Sequence, residues 1–504
     1  MFLEMKICAT LLILINVKTS FAQEDEVPVV KLPQGQIQGH TLRSSLGNKL
    51  YYAFQEIPYA APPIGTLRFK EPTEPEKWKG IKNTTHNTRS CYINGYTVEI
   101  APGVTESEDC LYLNVYTPVK PGSNSSIPVL FWIHGGGFYF GDGTFPVYGP
   151  QYLIDFDVVI VTINYRLGAF GFLTTEDDVI PGNIGLKDQH FALQWTYSNI
   201  NLFGGDPKQI TIVGESAGGA SVGYHLISKK TAGLIAGAIR QSGTAICSFG
   251  YQPNGNYYAF EMGKALNKNF TSEKSSDLLK LLQDADAEDI NEISLEVPED
   301  KERRIGGGSL VWVPVVESEK LDGAFITGPM HNDIKEGNVN KVPVMIGYNS
   351  EEEIVFGSVD DFKEKAAKLD ADDSQIVGNA YNINETNKET AGQQLKKLYT
   401  KTTFEDNLSA LVKFKTDSDF STPIIQHAEL HSSLADVYLY QFSYKGMMGF
   451  LNTSIEGVDA VGHAEDVKYL WHVDGLDDFS SYSIGDRLTQ RRLLKLWSNF
   501  VKHR

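Results

Sequence analysis

Apolar runs, far more than periodic helices, set the pattern of this chain. From residue 29 to 54 they are short and punctuated by glycine and polar turns, at 29–32, 35–39 and 50–54. That spacing predicts an antiparallel entry meander. An alternating strand follows at 108–116. The run at 129–133 is continuously apolar, and further strand patterns follow at 158–166, 210–213, 237–243, 342–347 and 437–442. Uninterrupted runs of this length are the mark of strands buried on both faces. A helical candidate spans 185–201, carrying Leu186, Phe191, Leu193 and Trp195. Buried strands alternating with helices predict an α/β fold: a large, mainly parallel twisted sheet flanked by helices. Two longer stretches, about 250–340 and 355–435, are polar, acidic and helix-like. They are expected to lie as insertions over the end of the sheet where open α/β folds place ligands.

The first 22 residues break this pattern. Lys6 precedes an apolar run at 7–17, and Ser20-Phe21-Ala22 provides a small-residue cleavage site. This is the layout of a secretory signal peptide, so the expected mature chain begins near Gln23 as a single domain over 23–504. No apolar stretch is long enough to span a membrane. The 504 residues carry a formal net charge of −18, which Lys6, Lys18 and Glu4 would make one unit more negative on leaving. So acidic a surface repels phosphate backbones and argues against nucleic acid as a partner. Sequons begin at Asn83, Asn124, Asn269, Asn384, Asn407 and Asn452, which fits a secreted glycoprotein. Of the four cysteines, Cys8 lies in the signal; Cys91 and Cys110 close a short loop and are the expected disulfide, leaving Cys247 over. No Cys/His spacing suits a metal, and nothing calls for a cofactor.

Chemistry concentrates at Gly214-Glu215-Ser216-Ala217-Gly218, which follows the apolar run 210–213 and precedes a helix-compatible run to about 228. A strand-to-helix turn this tight lifts a central serine to a helix N-terminus. The bland reading is a Gly-rich turn, and the pattern recurs by chance, so partners have to decide. A serine needs a base, and the base an acid, which in this type of fold follow the serine in chain order. His463 sits in a Gly-flanked loop after the last strand and is expected to be an exposed, mobile base; a loop histidine is otherwise a solvated side chain. His225, on the helix after the serine, is expected to point away. The run Glu351-Glu352-Glu353 follows the strand at 342–346. Such runs are usually solvated, but at a strand end one of them can orient the base, and spacing does not choose which. Gly135-Gly136-Gly137, ending the run 129–133, exposes backbone N–H groups for an oxyanion together with Ala217. No Lys-Ser/Thr follows these glycines, which argues against a phosphate loop.

With these residues in place the chain resembles the type-B carboxylesterase family of α/β-hydrolases, over about 29–500. The resemblance rests on Glu108–Val115, His134–Phe138, Asn164–Phe172, Asn183–Gln189 and, most diagnostic, Phe203-Gly204-Gly205-Asp206-Pro207 followed by 210–221. It implies Ser216 as nucleophile, His463 as base and Glu352 as acid, five residues after Gly347. It also implies Gly136, Gly137 and Ala217 as oxyanion donors, Cys91–Cys110 as the first disulfide loop, and Ser242 as a serine near the acid. Departures are Glu353, where members commonly have glycine or an aromatic, the lack of a partner for Cys247, and an end at Arg504 where members usually continue.

The expected function is that of a secreted serine carboxylesterase acting on a small-molecule ester through an acyl-enzyme. No tryptophan lies between Cys91 and Cys110, where cholinesterases place a choline-binding one. Juvenile hormone esterases usually carry Gln and Ala where Glu215 and Gly219 stand, so the resemblance favours a general carboxylesterase over a juvenile hormone esterase. Its substrate would be a dietary, xenobiotic or odorant ester, with a juvenile hormone or odorant ester as the alternative subclass. The rivals are a non-catalytic recognition or adhesion protein of the same fold and a sequestering protein that acylates once and turns over slowly.

Overall fold

The computed structural model describes residues 27–93, 101–297, 310–377, 383–449, 454–475 and 481–504. The expected signal peptide and Asn452 lie outside them. Nine strands form the main sheet: β1 (His40–Arg43), β2 (Leu50–Pro58), β3 (Tyr112–Thr117), β4 (Ile127–Ile133), β5 (Val159–Ile163), β6 (Gly205–Glu215), β7 (Gly237–Gln241), β8 (Val344–Asn349) and β9 (Val437–Phe442). Their order is β9-β8-β7-β6-β4-β5-β3-β2-β1. From β5 through β9 neighbours run parallel, while β1, β2 and β3 are antiparallel additions. The entry meander divides: Val29–Lys31 and Gln36–Gln38 pair antiparallel, but in a separate small sheet with Ile81–Asn83. Only the run at 50–54 enters the main sheet.

The central apolar strands have the physical cause predicted for them, whereas β9, expected to be buried on both faces, is an edge strand with Tyr438 and Leu439 each 49% exposed. Val129, Phe131 and Ile133 of β4 enter one core, and Leu130 and Trp132 enter the other. Ile210 and Ile212 of β6 join the first core and Val213 the second. The first core is covered by α1 (Ile184–Asn199) and α2 (Ala217–Ile227) through Leu186, Leu193, Ala220, Val222 and Tyr224. The second is covered by the long helix Ile484–His503 through Leu494, Trp497 and Val501. Alternate side chains thus meet apolar partners above and below, which is why these strands carry no polar face.

The insertions are helical, as expected. Among them, α3 (Val359–Ala371) and α4 (Leu408–Thr416) pack with Ile354, Phe362 and Phe414 into a third, smaller core. The turns after β6, β7 and β8 open at one end of the sheet, beside these insertions. Cys91 and Cys110 are disulfide-bonded, and Cys247 is buried as a free thiol.

Candidate active site

Ser216 caps the junction between β6 and α2 with φ +56° and ψ −121°, a conformation a side-chain-bearing residue rarely adopts. Its amide donates to Gln241 O at 2.8 Å and its carbonyl accepts from Ala220 at 2.8 Å. Gly214 and Gly218 make this turn possible. A Cβ on Gly214 would meet the Gly218 carbonyl at 2.4 Å, and one on Gly218 the Ile133 carbonyl at 2.1 Å. As the first residue of α2, Ala217 presents an N–H with no intrahelical acceptor.

The glycine loop ends β4 beside the serine: a Cβ on Gly135 would reach Ser216 Cβ at 3.0 Å. Gly136 and Gly137 both have positive φ, +100° and +62°. The loop is held from behind. Tyr139 and Phe140 donate to Gly136 O, Gly168 donates to Phe138 O, and Tyr165 Oη donates to His134 O. His134 lies stacked on Tyr165, with ring centroids 4.4 Å apart, and burial pulls its imidazole down to about 4. Neutral at physiological pH, its Nδ1 donates to the Gly135 carbonyl at 2.9 Å, while no backbone acceptor engages the Gly136 and Gly137 amides among the described residues. Fixed N–H donors beside a serine can hold an oxyanion.

The end of β8 and the loop carrying His463 are stapled together. His463 N donates to Glu352 O, Glu351 N to Val461 O, and Asn349 Nδ2 to Gly462 O. Of the three consecutive acids, Glu352 is the one turned to the ring. It is fully buried, accepts from Asn349 N at 2.7 Å, and stands 2.7 Å from His463 Nδ1. Glu353 turns the other way, toward Lys365 at 3.2 Å, and leaves the Glu352 hydrogen bonds undisturbed. Ser242 donates its amide to Gly347 O, but its buried hydroxyl has no partner and does not bond Glu352. His225 is buried among Gln189, Thr231 and His190, away from the serine as expected.

Two features escaped the sequence. His463 is not exposed: its side chain is 9% accessible, enclosed by the rings of Phe420 at 4.8 Å and Phe356 at 5.2 Å. Its Nε2 lies 3.2 Å from the Glu215 carboxylate, an ionic contact, and no hydrogen bond joins it to Ser216 Oγ among the described residues. The signal for Glu215 was a charged residue close behind the apolar run 210–213 and next to the serine. Burial lowers the His463 imidazole, but Glu215, Glu352 and, less strongly, Asp466 outweigh it and push the ring up to about 9. Burial, with Asp466 and Glu352 adding repulsion, pushes Glu215 up to about 8 against the pull of His463. Both groups therefore keep their protons to higher pH than either would in water. Asp466 itself, holding Gln241 and Tyr440, is pushed by burial to about 6.

Asn83, Asn124, Asn269 and Asn384 are exposed. Asn407 is half-buried, and its side chain caps α4 by accepting from Ala410 N. No group of three or more His, Cys, Asp or Glu suited to a metal ion, and no helix long and apolar enough to cross a membrane, occurs among the described residues.

The model of the carboxylesterase family matches residues 26–504. The chain is 35% identical to a carboxylic ester hydrolase of Bombus ignitus, covering 84% of this chain and 76% of that one. It is 34% identical to esterase FE4 of Myzus persicae, covering 94% and 84%. Among solved structures, the juvenile hormone esterase of Manduca sexta, with OTFP covalently attached, superposes with a TM-score of 0.80 at 28% identity, covering 95% of this chain and 90% of that one.

Proposed function

The chain belongs to the carboxylesterase family and is a carboxylic ester hydrolase, and from that premise we propose that it is a secreted serine esterase working through an acyl-enzyme. The observation that carries this reading is the strained turn at Ser216, whose preceding residue Glu215 touches the His463 ring, and the hold of Glu352 on that ring at 2.7 Å. In the proposed cycle Ser216 Oγ attacks the ester carbonyl while its proton passes to His463 Nε2. The oxyanion is held by the N–H groups of Gly136, Gly137 and Ala217. Collapse expels the alcohol, which takes the proton from Nε2, and water then repeats the sequence on the acyl-serine to release the acid. Glu352 fixes the ring through Nδ1 and offsets its charge. For the first step Nε2 must leave Glu215 for Ser216, and such contacts commonly tighten only with substrate bound.

The covalent adduct named for the Manduca sexta structure supports a covalent route in this fold. Secretion, glycosylation and a single domain over 23–504 are proposed on the N-terminal pattern and the sequons. Ser216→Ala is expected to lower hydrolysis of a short-chain chromogenic ester by several orders of magnitude. A variant as active as the parent would remove the assignment. The Glu215 contact favours a second reading, a slow-turnover sequestering protein. One equivalent of alcohol per chain followed by negligible turnover would support it; sustained turnover would dismiss it.

A further inference from the structure

Behind the acid turn lies a buried group of charges that the reaction does not use directly. Glu353, Lys415 and Asp419 are each at most 6% exposed. Lys365 on α3 reaches Glu353 Oε1 at 3.2 Å, and Lys415 at the end of α4 reaches Asp419 at 2.6 Å. Glu353 N also donates to Thr416 Oγ1 at 3.2 Å. Two acids and two lysines leave the group neutral, and the buried charges of Glu353, Lys415 and Asp419 are tolerated only when balanced in this way.

Its position is more telling than its composition. Glu353 follows Glu352 in the short 3-10 turn Glu352–Phe356. Asp419 precedes Phe420 in a π-helical turn, Asp417–Ser421, a wide turn often found at functional sites. Phe356 and Phe420 lie parallel, 5.9 Å apart, and both face the His463 ring. The charged group thus ties the turn that carries the acid to the turn that carries the aromatic wall.

We propose that Glu353, Lys365, Lys415 and Asp419 form a positioning cluster that holds Glu352 and Phe420 around His463, and that its neutrality tunes the basicity of the ring. The proposal rests on the reading of Glu352 and His463 as acid and base. The charged groups facing the ring are Glu215 at the end of β6, Glu352 after β8 and Asp466 beyond the ring's own residue. Those facing Glu353 are Lys365 on α3, Lys415 on α4 and Asp419 on the π turn.

The sign of the charge change makes the test. Activity requires a neutral ring, so the acid limb of the pH–kcat profile follows its protonation. Lys365→Met makes the cluster negative and is expected to move that limb up by about half a pH unit; Glu353→Gln makes it positive and moves it down by about as much. Glu353→Gln is also expected to lower the plateau kcat about tenfold with KM within about twofold. The pair Glu353→Gln/Lys415→Met restores neutrality and returns the limb to its parent position. A purely packing role would lower thermal stability in the single variants without opposed pH shifts. Limbs that stay in place, or that move in the same direction, overturn the proposal. Lys365 is half-exposed, so its variant keeps the test decisive if Glu353→Gln does not fold. Ser216→Ala separates the two levels: retained activity removes the triad reading, whereas an inactive Ser216→Ala with unmoved limbs removes only the cluster.

Discussion

His463 is gripped at both ring nitrogens by acids, Glu352 at 2.7 Å on Nδ1 and Glu215 at 3.2 Å on Nε2. In the proposed cycle this second contact occupies the nitrogen that receives the serine proton. It also helps push the ring up, so the imidazolium keeps its proton to higher pH than a histidine in water would. Activity should therefore climb through the alkaline range.

Glu215→Gln removes one of the two anions while keeping the shape of the side chain. With less negative charge to stabilise it, the imidazolium loses its proton at lower pH. The acid limb of kcat/KM is expected to fall by about one pH unit or more, raising activity at pH 7. A pH–rate profile that coincides with the parent's would show that Glu215 does not set the base.

Gly136→Ala places a methyl group 2.0 Å from the Phe140 carbonyl at a residue whose φ is +100°. The loop must shift, carrying the proposed oxyanion donors away from Ser216. We expect kcat to fall about 100-fold to 1000-fold with little change in KM. An unchanged kcat would place the oxyanion elsewhere.

Arg166 and Asp188 form a doubly hydrogen-bonded pair at 2.8 and 2.7 Å, both almost wholly buried. Asp188→Asn leaves the guanidinium without its counter-charge inside the core. The expected cost is about 3–5 kcal/mol, read as a lower midpoint in urea unfolding. A midpoint within error of the parent's would mean that water or another group takes over.

Cys91→Ser/Cys110→Ser opens a loop whose ends are 19 residues apart. Relaxing that constraint on the unfolded chain should cost about 3 kcal/mol and lower Tm by several degrees. Catalytic constants at 25 °C should hold; a large loss of kcat without a Tm change would contradict this.

How much of this was legible follows the range of each interaction. The strands were readable because a residue buried on both faces, such as Phe131 or Trp132, announces itself by composition alone. The elbow was readable because Gly214 and Gly218 answer a local demand, the close approach of neighbouring backbones. The glycine loop, the acid run and the histidine loop were found by their places at strand ends. Spacing could not say which of Glu351, Glu352 and Glu353 faces the ring. The turn that follows β8 decides it, pointing Glu352 inward and its neighbour toward Lys365.

By itself, then, the chain's order of apolar runs and small residues determined an α/β sheet with a serine at its elbow. Tertiary packing alone decided that His463 is enclosed by Phe356 and Phe420 and that Glu215 holds its free nitrogen. The same packing paired Glu353 with Lys365, 12 positions along the chain. Burial and charge pairing depend on elements distant in sequence meeting at one end of a sheet, and no local pattern records that meeting.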